Sequence, residues 1–177
     1  MNETDLRNSL TALHSASFAW AMTCCRDREL AEDVLQSVYV KVLGGDASYG
    51  QRSSFRTWLF AVIRNAARDQ RRRQWWSRVV RLEFELLSEL ADSYQGDESG
   101  FDDRDELLVV RSALGNLPER QRQVTHLVFY EELTVAEAAK VMSVTVGTAR
   151  QHYARAKEAL RVSLRPLWSE TNESIVR

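Results

Sequence analysis

The sequence is poor in the residues that interrupt helices. It contains two prolines and seven glycines in 177 residues, and few segments alternate between apolar and polar residues as strands do. Because proline and glycine are the least favourable residues in a helix interior, their scarcity favours a mostly helical chain. The length suffices for one medium domain or two small ones.

Cysteines and long apolar segments are also scarce. The two cysteines, Cys24 and Cys25, are adjacent and have no third partner, so they cannot readily form a disulfide. This pattern suits a reducing compartment, and we expect a cytoplasmic protein. No apolar stretch approaches the roughly 20 residues that cross a bilayer, and no signal peptide is visible at the N-terminus. We therefore expect no membrane insertion.

The sequence lacks motifs of catalysis and metal binding. The three histidines, His14, His126 and His152, lie on different predicted elements. No Cys-x-x-Cys pair and no glycine-rich phosphate loop occurs. We expect no enzymatic activity, no metal ion and no cofactor. His126 lies within an apolar helix, where packing is the expected role.

Charge is abundant but segregated along the chain. The formal net charge is −1, which alone argues against a simple basic nucleic-acid binder. Residues 64–81 nevertheless carry seven arginines and one acid, whereas residues 83–106 carry ten acids and one base. Local charge decides where a polyanion docks, so the arginine-rich segment is a candidate surface for nucleic acid.

Apolar residues recur at helical spacing in seven segments, which predicts an all-α protein with two small domains. The first domain, residues 1–80, is predicted to contain three helices at about 5–25, 29–43 and 54–76. The second domain, residues 105–167, is predicted to contain helices at about 105–115, 119–131, 134–142 and 146–164. The acidic residues 81–104 are expected to form a flexible linker, and residues 168–177 a tail.

The second domain has the layout of a helix–turn–helix. A short helix that starts with a capping box at Thr134 and Glu137 is followed by the three-residue turn 143–145 and a long helix from Val146. Arginine and glutamine read base edges, and threonine reaches phosphates. The residues predicted to contact duplex DNA are Thr148, Arg150, Gln151, His152, Arg155 and Lys157. An ordinary solvated helix face has the same periodicity.

The arginine-rich helix of the first domain is a second candidate surface. Its outward face lies opposite an apolar stripe, and aromatic residues flank it, as single-strand binding requires. The residues predicted to contact a melted strand are Tyr49, Arg64, Asn65, Arg68, Arg71 and Arg72. Trp58 is expected to belong to the core, and Trp75 and Trp76 could pack on the linker.

The predicted helix 29–43 carries an outward row that is acidic and partly apolar, formed by Glu29, Asp33, Gln36 and Val40. An acidic row faces DNA unfavourably, whereas an exposed valine within it points to a protein partner. A simple solvated face accounts for the row equally well.

Two parts of the sequence resemble extracytoplasmic-function (ECF) sigma factors of the sigma-70 family. Residues 31–42 (AEDVLQSVYVKV) and 53–73 (SSFRTWLFAVIRNAARDQRRR) resemble their second conserved region, and residues 117–161 resemble their fourth. The resemblance implies that the first domain recognises the melted minus-ten element and that the second binds the minus-thirty-five element as duplex. It places a pocket for a flipped base at the loop of Tyr49, with Asn65 nearby.

The resemblance also implies protein partners. The face with Asp33 and Gln36 would lie against the largest subunit of core RNA polymerase, and the second domain would contact the other large subunit. An anti-sigma factor is the expected regulator, and the acidic linker is expected to pass near the active-site channel. The sequence departs from the family at Ala138 and Ala149, which keep the positions apolar, and at Ala61 and Gln151–His152, which alter the expected strand contacts and base preference.

Three functions fit these features to different degrees. A promoter-specificity subunit that acts with core polymerase accounts for both candidate surfaces. A conventional helix–turn–helix regulator leaves the basic first domain without a role, because a sensor domain needs no second nucleic-acid surface. An enzyme acting on nucleic acid lacks the acid, base or metal cluster that such chemistry needs.

Overall fold

The protein was analysed as a computed structural model, which describes residues 3–84 and 104–165, with side chains over 4–74 and 108–165. These residues form eight α-helices and no strand. The helices are α1 Glu3–Ala12, α2 His14–Cys25, α3 Arg28–Leu43, α4 Phe55–Phe84, α5 Arg104–Gly115, α6 Glu119–Thr125, α7 Val135–Met142 and α8 Val146–Ser163. The predicted all-α class and its two helical domains are confirmed.

The first predicted helix is divided in two. Leu13 separates α1 from α2 with φ −96° and ψ 4°, although its amide still donates to the Ser9 carbonyl at 3.1 Å. The first domain therefore contains four helices rather than the predicted three. Apolar spacing continues across Leu13, so periodicity could not locate this break.

Local capping fixes the ends of α3 and α4. Asp27 accepts a hydrogen bond from the Leu30 amide at 2.7 Å and caps α3, which ends at Gly44 as predicted. Ser54 Oγ accepts from the Thr57 amide at 3.1 Å, so Ser54 caps α4. Helix α4 then continues to Phe84, eight residues beyond its predicted end at 76 and into the predicted linker. The rest of that linker, residues 85–103, lies outside the described residues, as do the tail 168–177 and the side chains of Trp75 and Trp76.

Trp20 organises the core of the first domain. Its side chain is fully buried, its indole N–H donates to the Phe60 carbonyl of α4 at 2.9 Å, and its ring stacks on that of Phe60. Leu59, Ile63 and Val38 are equally buried around it. Burying an indole while satisfying its donor joins α2 to α4 by packing and by a hydrogen bond.

The second domain contains the predicted helix–turn–helix. The capping box of Thr134 and Glu137 opens α7, and Ser143 ends α7 in a left-handed conformation at φ 53°. Between α6 and α7, residues His126–Tyr130 form a π-helical turn, in which the Glu131 amide donates to the His126 carbonyl at 3.1 Å. This turn carries one residue more than an α-helix would hold.

The two domains pack against each other in a closed arrangement. Helix α4 contacts α7, and α2 contacts α6 and the π-helical turn. Val124, Leu127 and Met142 of the second domain belong to the same buried cluster as Trp20. The domains thus share one continuous apolar core rather than two separate ones. Within residues 3–84 and 104–165, no helix has the length and apolar character that crossing a bilayer requires.

Candidate nucleic-acid interface

Helix α8 is held in place through its small residues. Ala149 and Ala156 are fully buried where α8 meets α6 and α7, so the helix backbone can approach its neighbours closely. Thr145 caps its N-terminus by accepting from the Thr148 amide at 3.1 Å. The position and the start of the helix are therefore both fixed, and of the predicted DNA-contacting residues Thr148 takes part in the cap, with its hydroxyl 2.8 Å from that of Thr145.

The outer face of α8 carries the residues predicted to contact duplex DNA. Arg150, Gln151, Arg155 and Lys157 are exposed, and Thr148 and His152 are half-buried. Helical spacing divides the six into two flanks. Thr148, Gln151, His152 and Arg155 lie on one flank, and Arg150 and Lys157, seven residues apart, lie on the other. Lys157 Nζ lies 4.9 Å from the centre of the Tyr153 ring, which limits its reach.

Helix α4 presents a second stripe along one face. Trp58, Asn65 and Arg72 follow at intervals of seven residues, and Arg68 lies between the last two. Asn65, Arg68 and Arg72 are exposed. The stripe from Trp58 to Arg72 is about 21 Å long at the rise of an α-helix, and its later part is basic. A chain of phosphates could follow such a stripe.

An aromatic cluster stands at the start of this stripe. The rings of Tyr49, Phe55 and Trp58 lie with each pair of centroids 5.4 Å apart, and the Tyr49 hydroxyl donates to the Ser53 carbonyl. Tyr49 and Trp58 are half-buried, so each leaves part of a ring exposed. Trp58 packs against the core as expected.

Arg64 does not lie on the outward face of α4, contrary to the expectation from periodicity. It is 4% exposed, and its Nε donates to Gln123 Oε1 of α6 at 3.0 Å. Burial lowers the pKa of its guanidinium group, and the neighbouring charges of Arg120 and Arg68 lower it further. Helical spacing predicted Arg64 on the polar side of α4, opposite the apolar stripe, because it gives no sign that the second domain packs there.

Arg71 is exposed but engaged with both domains. Its Nη1 lies 3.2 Å from Glu119 Oε2 of α6 and donates to the Cys24 carbonyl of α2 at 3.3 Å. Of the six residues predicted to contact a melted strand, Asn65, Arg68 and Arg72 therefore share the exposed stripe, and Tyr49 lies in the aromatic cluster at its start. Arg64 and Arg71 face the second domain.

A charged cluster that the sequence did not reveal joins the domains. Glu131 is 5% exposed and accepts a hydrogen bond from Arg56 of α4, while His126 Nε2 lies 3.3 Å from its other oxygen. His126 Nδ1 lies 3.1 Å from Thr23 Oγ1, and its ring packs 5.5 Å from that of Trp20. Burial alone raises the pKa of Glu131, but hydrogen bonds from His126 and Arg56 hold it below its ordinary value.

The row on α3 is exposed as its spacing predicts. Glu29, Asp33 and Gln36 face solvent, and Val40 is 65% exposed. An apolar side chain this exposed on a capped, well-packed helix contributes nothing to the core, so it is available to a partner.

The cysteines lie beneath α4 and are unreactive. Both are buried and free. Burial raises the pKa of Cys24 far above its ordinary range, with the neighbouring Cys25 adding to the effect, and burial raises the pKa of Cys25 to about 11. Both therefore remain thiols at neutral pH. No group of three histidine, cysteine or acidic side chains that could hold a metal ion is present in the described part of the chain.

Comparison with known proteins identifies the class. The sigma-70 region 2 family matches residues 10–77, and the sigma-70 region 4 family matches residues 113–162. ECF RNA polymerase sigma factor SigC of Mycobacterium tuberculosis is 33% identical over 142 residues, covering 77% of this chain and 71% of the relative. RNA polymerase sigma-H factor of Pseudomonas aeruginosa is 30% identical over 157 residues, covering 81% and 78%.

Solved structures show the same fold. The sigma factor RpoE in complex with the anti-sigma factor NepR from Bartonella quintana matches with a TM-score of 0.69 at 24% identity, over 91% of this chain and 97% of that one. CnrH in complex with the cytosolic domain of CnrY matches with a TM-score of 0.63 at 23% identity, over 93% and 90%. The chain belongs to the sigma-70 family of RNA polymerase sigma factors, within its ECF group. The alternative of a conventional helix–turn–helix regulator is not favoured.

Proposed function

We propose that this protein binds core RNA polymerase and directs it to specific promoters by recognising and melting promoter DNA. The observation that carries the proposal is the presence of two unlike surfaces in one sigma-family chain. Helix α8 has an exposed polar face on a helix–turn–helix, and α4 has a basic stripe that starts at an aromatic cluster. The first suits duplex DNA and the second suits single-stranded DNA.

The proposed duplex site for the minus-thirty-five element is formed by Thr148, Arg150, Gln151, His152, Arg155 and Lys157. Its two flanks would reach opposite walls of the major groove, with Gln151 directed at base edges. The capped N-terminus of α8 would approach a phosphate, because the first amide groups of a helix favour an anion.

The proposed site for the melted minus-ten strand consists of Tyr49, Asn65, Arg68 and Arg72, with Arg64 and Arg71 joining it when the domains separate. A base taken out of the stack would rest against the ring of Tyr49. In the closed arrangement the second domain covers Arg64 and engages Arg71. Opening of the domains is therefore part of the proposed activity.

The proposed polymerase-binding row is Glu29, Asp33, Gln36 and Val40 on α3. The two largest subunits of the core enzyme would be the partners, the largest at this row and the other at the second domain. The acidic end of this row, Glu29 and Asp33, lines the same cleft as Arg68 and Arg72 of the α4 stripe, so the two surfaces adjoin. The segment 81–104, rich in acidic residues, would serve as a linker.

We further propose control by an anti-sigma factor, since one structural neighbour is a sigma factor in complex with an anti-sigma factor. The family consists of transcription factors rather than catalysts, and we propose that this chain has no enzymatic activity or cofactor of its own. Its two buried thiols suit a cytoplasmic location.

Run-off transcription with purified bacterial core polymerase and genomic templates tests the main proposal. We expect the full chain to join core polymerase and to produce defined start sites that core polymerase alone does not produce. A Val40→Asp variant should lose the association while keeping duplex binding, because only the α3 row is changed. A chain that binds promoter duplex but never associates with core polymerase would be a conventional regulator, and the proposal would be wrong.

A further inference from the structure

We propose that the cleft between the two domains binds a phosphate group and that this anion stabilises the closed arrangement. The cleft has a volume of about 780 Å³ and is formed by α2, α3, α4 and α6. The proposal rests on charges that the closed arrangement brings together; two of them, Arg64 and Arg68, also belong to the minus-ten site of the proposed function.

Five arginines line the cleft, and three of them, from both domains, interact electrostatically. Arg64 and Arg68 of α4 and Arg120 of α6 all line it. The charges of Arg120 and Arg68 add to the burial that lowers the pKa of Arg64, so the three groups are close enough to repel one another. Arginine remains protonated at neutral pH, so a bound anion would relieve this repulsion.

Glu119 partly offsets the charge of Arg64, but it does not accept from the free donors of the cleft arginines. Glu119 is engaged on both oxygens: one lies 3.2 Å from Arg71 Nη1, and the other accepts from Gln123 Nε2 at 2.9 Å. Asp27 lies at the cleft as well, but its carboxylate caps α3. The remaining acids of the lining, Glu29 and Asp33, belong to the exposed row of α3.

The arginines keep unused donors. Nη1 of Arg64 and Nη1 of Arg120 are buried without an acceptor among the described residues. Arg68 is exposed at the cleft and has no hydrogen bond or ion pair within the described part of the chain. Arg68, Arg120 and Nη1 of Arg64 would contact the anion together. Removing donors from water without an acceptor is costly, so the cleft is incomplete without an anion.

A phosphate group suits this site best. The planar fork of a guanidinium group matches two oxygens of a phosphate, and a dianion neutralises two of the three charges. The volume accommodates a free phosphate ion or the terminal phosphate of a nucleotide, since pockets for small ligands span about 300–1,000 Å³. Because the anion would contact α4 and α6 together, it would bind the closed arrangement more tightly than an open one.

The test uses the full chain and inorganic phosphate, titrated by calorimetry at constant ionic strength against chloride. We expect saturable binding at one site and a higher melting temperature. Arg120→Gln should weaken binding about tenfold or more, the loss expected for a charge-assisted hydrogen bond. Arg111→Gln removes an exposed arginine of α5 outside the cleft and should bind as the wild type does. If Arg120→Gln does not fold, Arg68→Gln replaces it.

Three results would overturn the proposal: no saturable binding beyond chloride, unchanged binding in both cleft variants, or equal weakening by Arg111→Gln. Small-angle scattering should record a more compact chain with phosphate, and binding without any compaction would disprove the bridging role. A comparison of ADP, adenosine and inorganic phosphate shows whether the ligand is a free phosphate ion or a nucleotide. Equal affinity for ADP and phosphate assigns the site to the phosphate group alone. Tighter binding of ADP assigns it to a nucleotide. None of these measurements uses transcription, so they stand whether or not the proposed function does.

Discussion

Helices α8 and α4 are both basic and both amphipathic, but the closed arrangement leaves the polar face of α8 exposed and covers part of that of α4. On α8, Arg150, Gln151 and Arg155 remain exposed. On α4, Arg64 is buried against Gln123 and Arg71 bridges to Glu119. The type of a residue therefore does not decide whether its side chain is available to DNA. A duplex could reach α8 without any movement, whereas the full set of arginines on α4 requires the second domain to move away.

Glu131→Gln should have the largest effect on this difference between α8 and α4. The change leaves Arg56 and His126 facing a neutral side chain at a buried contact, so we expect the free energy of unfolding to fall by about 2–3 kcal/mol in urea denaturation. The variant should also open, and its affinity for a single-stranded minus-ten oligonucleotide should rise while duplex affinity stays constant. Glu132→Gln, at the exposed neighbouring position, is the control. Equal losses in the two variants would show that the cluster does not hold the domains together.

Arg150→Ala tests whether the exposed face of α8 reads base pairs. We expect promoter duplex binding to weaken by about 1–3 kcal/mol, with relaxed preference at one base pair, if the guanidinium group reads a base edge. Arg161→Ala, which removes an arginine paired with Glu158 near the end of the same helix, should have little effect. Binding to a panel of single-base variants is the measurement. A uniform loss across the panel would assign Arg150 to a phosphate instead.

Tyr49→Ala tests the aromatic cluster at the start of the α4 stripe. We expect open-complex formation to fall by the equivalent of about 1–3 kcal/mol, the range for stacking of one base, with duplex binding unchanged. Permanganate reactivity of the melted promoter region measures open-complex formation. Tyr49→Phe keeps the ring and loses only the hydroxyl that donates to Ser53, so it should melt promoters nearly as well. Normal melting by Tyr49→Ala would remove this residue from the site.

The smallest expected effect is one of pH on the Glu131 cluster. Hydrogen bonds from His126 and Arg56 hold the pKa of Glu131 below its ordinary value of 4.5 despite burial. A lowered pKa in the folded state means that the stabilisation is complete above the ordinary value and is lost as pH falls through the lowered one. The stability difference between wild type and Glu131→Gln should therefore narrow only below about pH 4.5. A difference that stays constant to pH 3 would contradict this.

Local signals allowed much of the fold to be predicted. The capping box at Thr134 and the end of α3 at residue 43 were predicted correctly, because each depends on residues within one turn. The face of α8 was readable because buried alanines repeat at helical spacing. These features decide where helices start, where they stop and which side of each is apolar.

Contacts between the domains could not be predicted in the same way. Arg56 and Glu131 are 75 residues apart, and Arg64 and Gln123 are 59 apart, so no local pattern relates them. The periodicity of α4 separates an apolar side from a polar one, but a polar side can face either water or another domain. Arg64 was assigned to the outward face for this reason, and the charged cluster around Glu131 was missed.

The π-helical turn decides the direction in which the residues after it point relative to α6. One surplus residue between α6 and Glu131 turns everything after it by about 100° relative to an uninterrupted α-helix. With that rotation Glu131 points at the first domain, on the same side as His126, and Phe129, 69% exposed, points away. The closed arrangement therefore depends on the number of residues between positions 126 and 131 as well as on their identity, so a single deletion there would misalign the contact while leaving every participating side chain in the sequence.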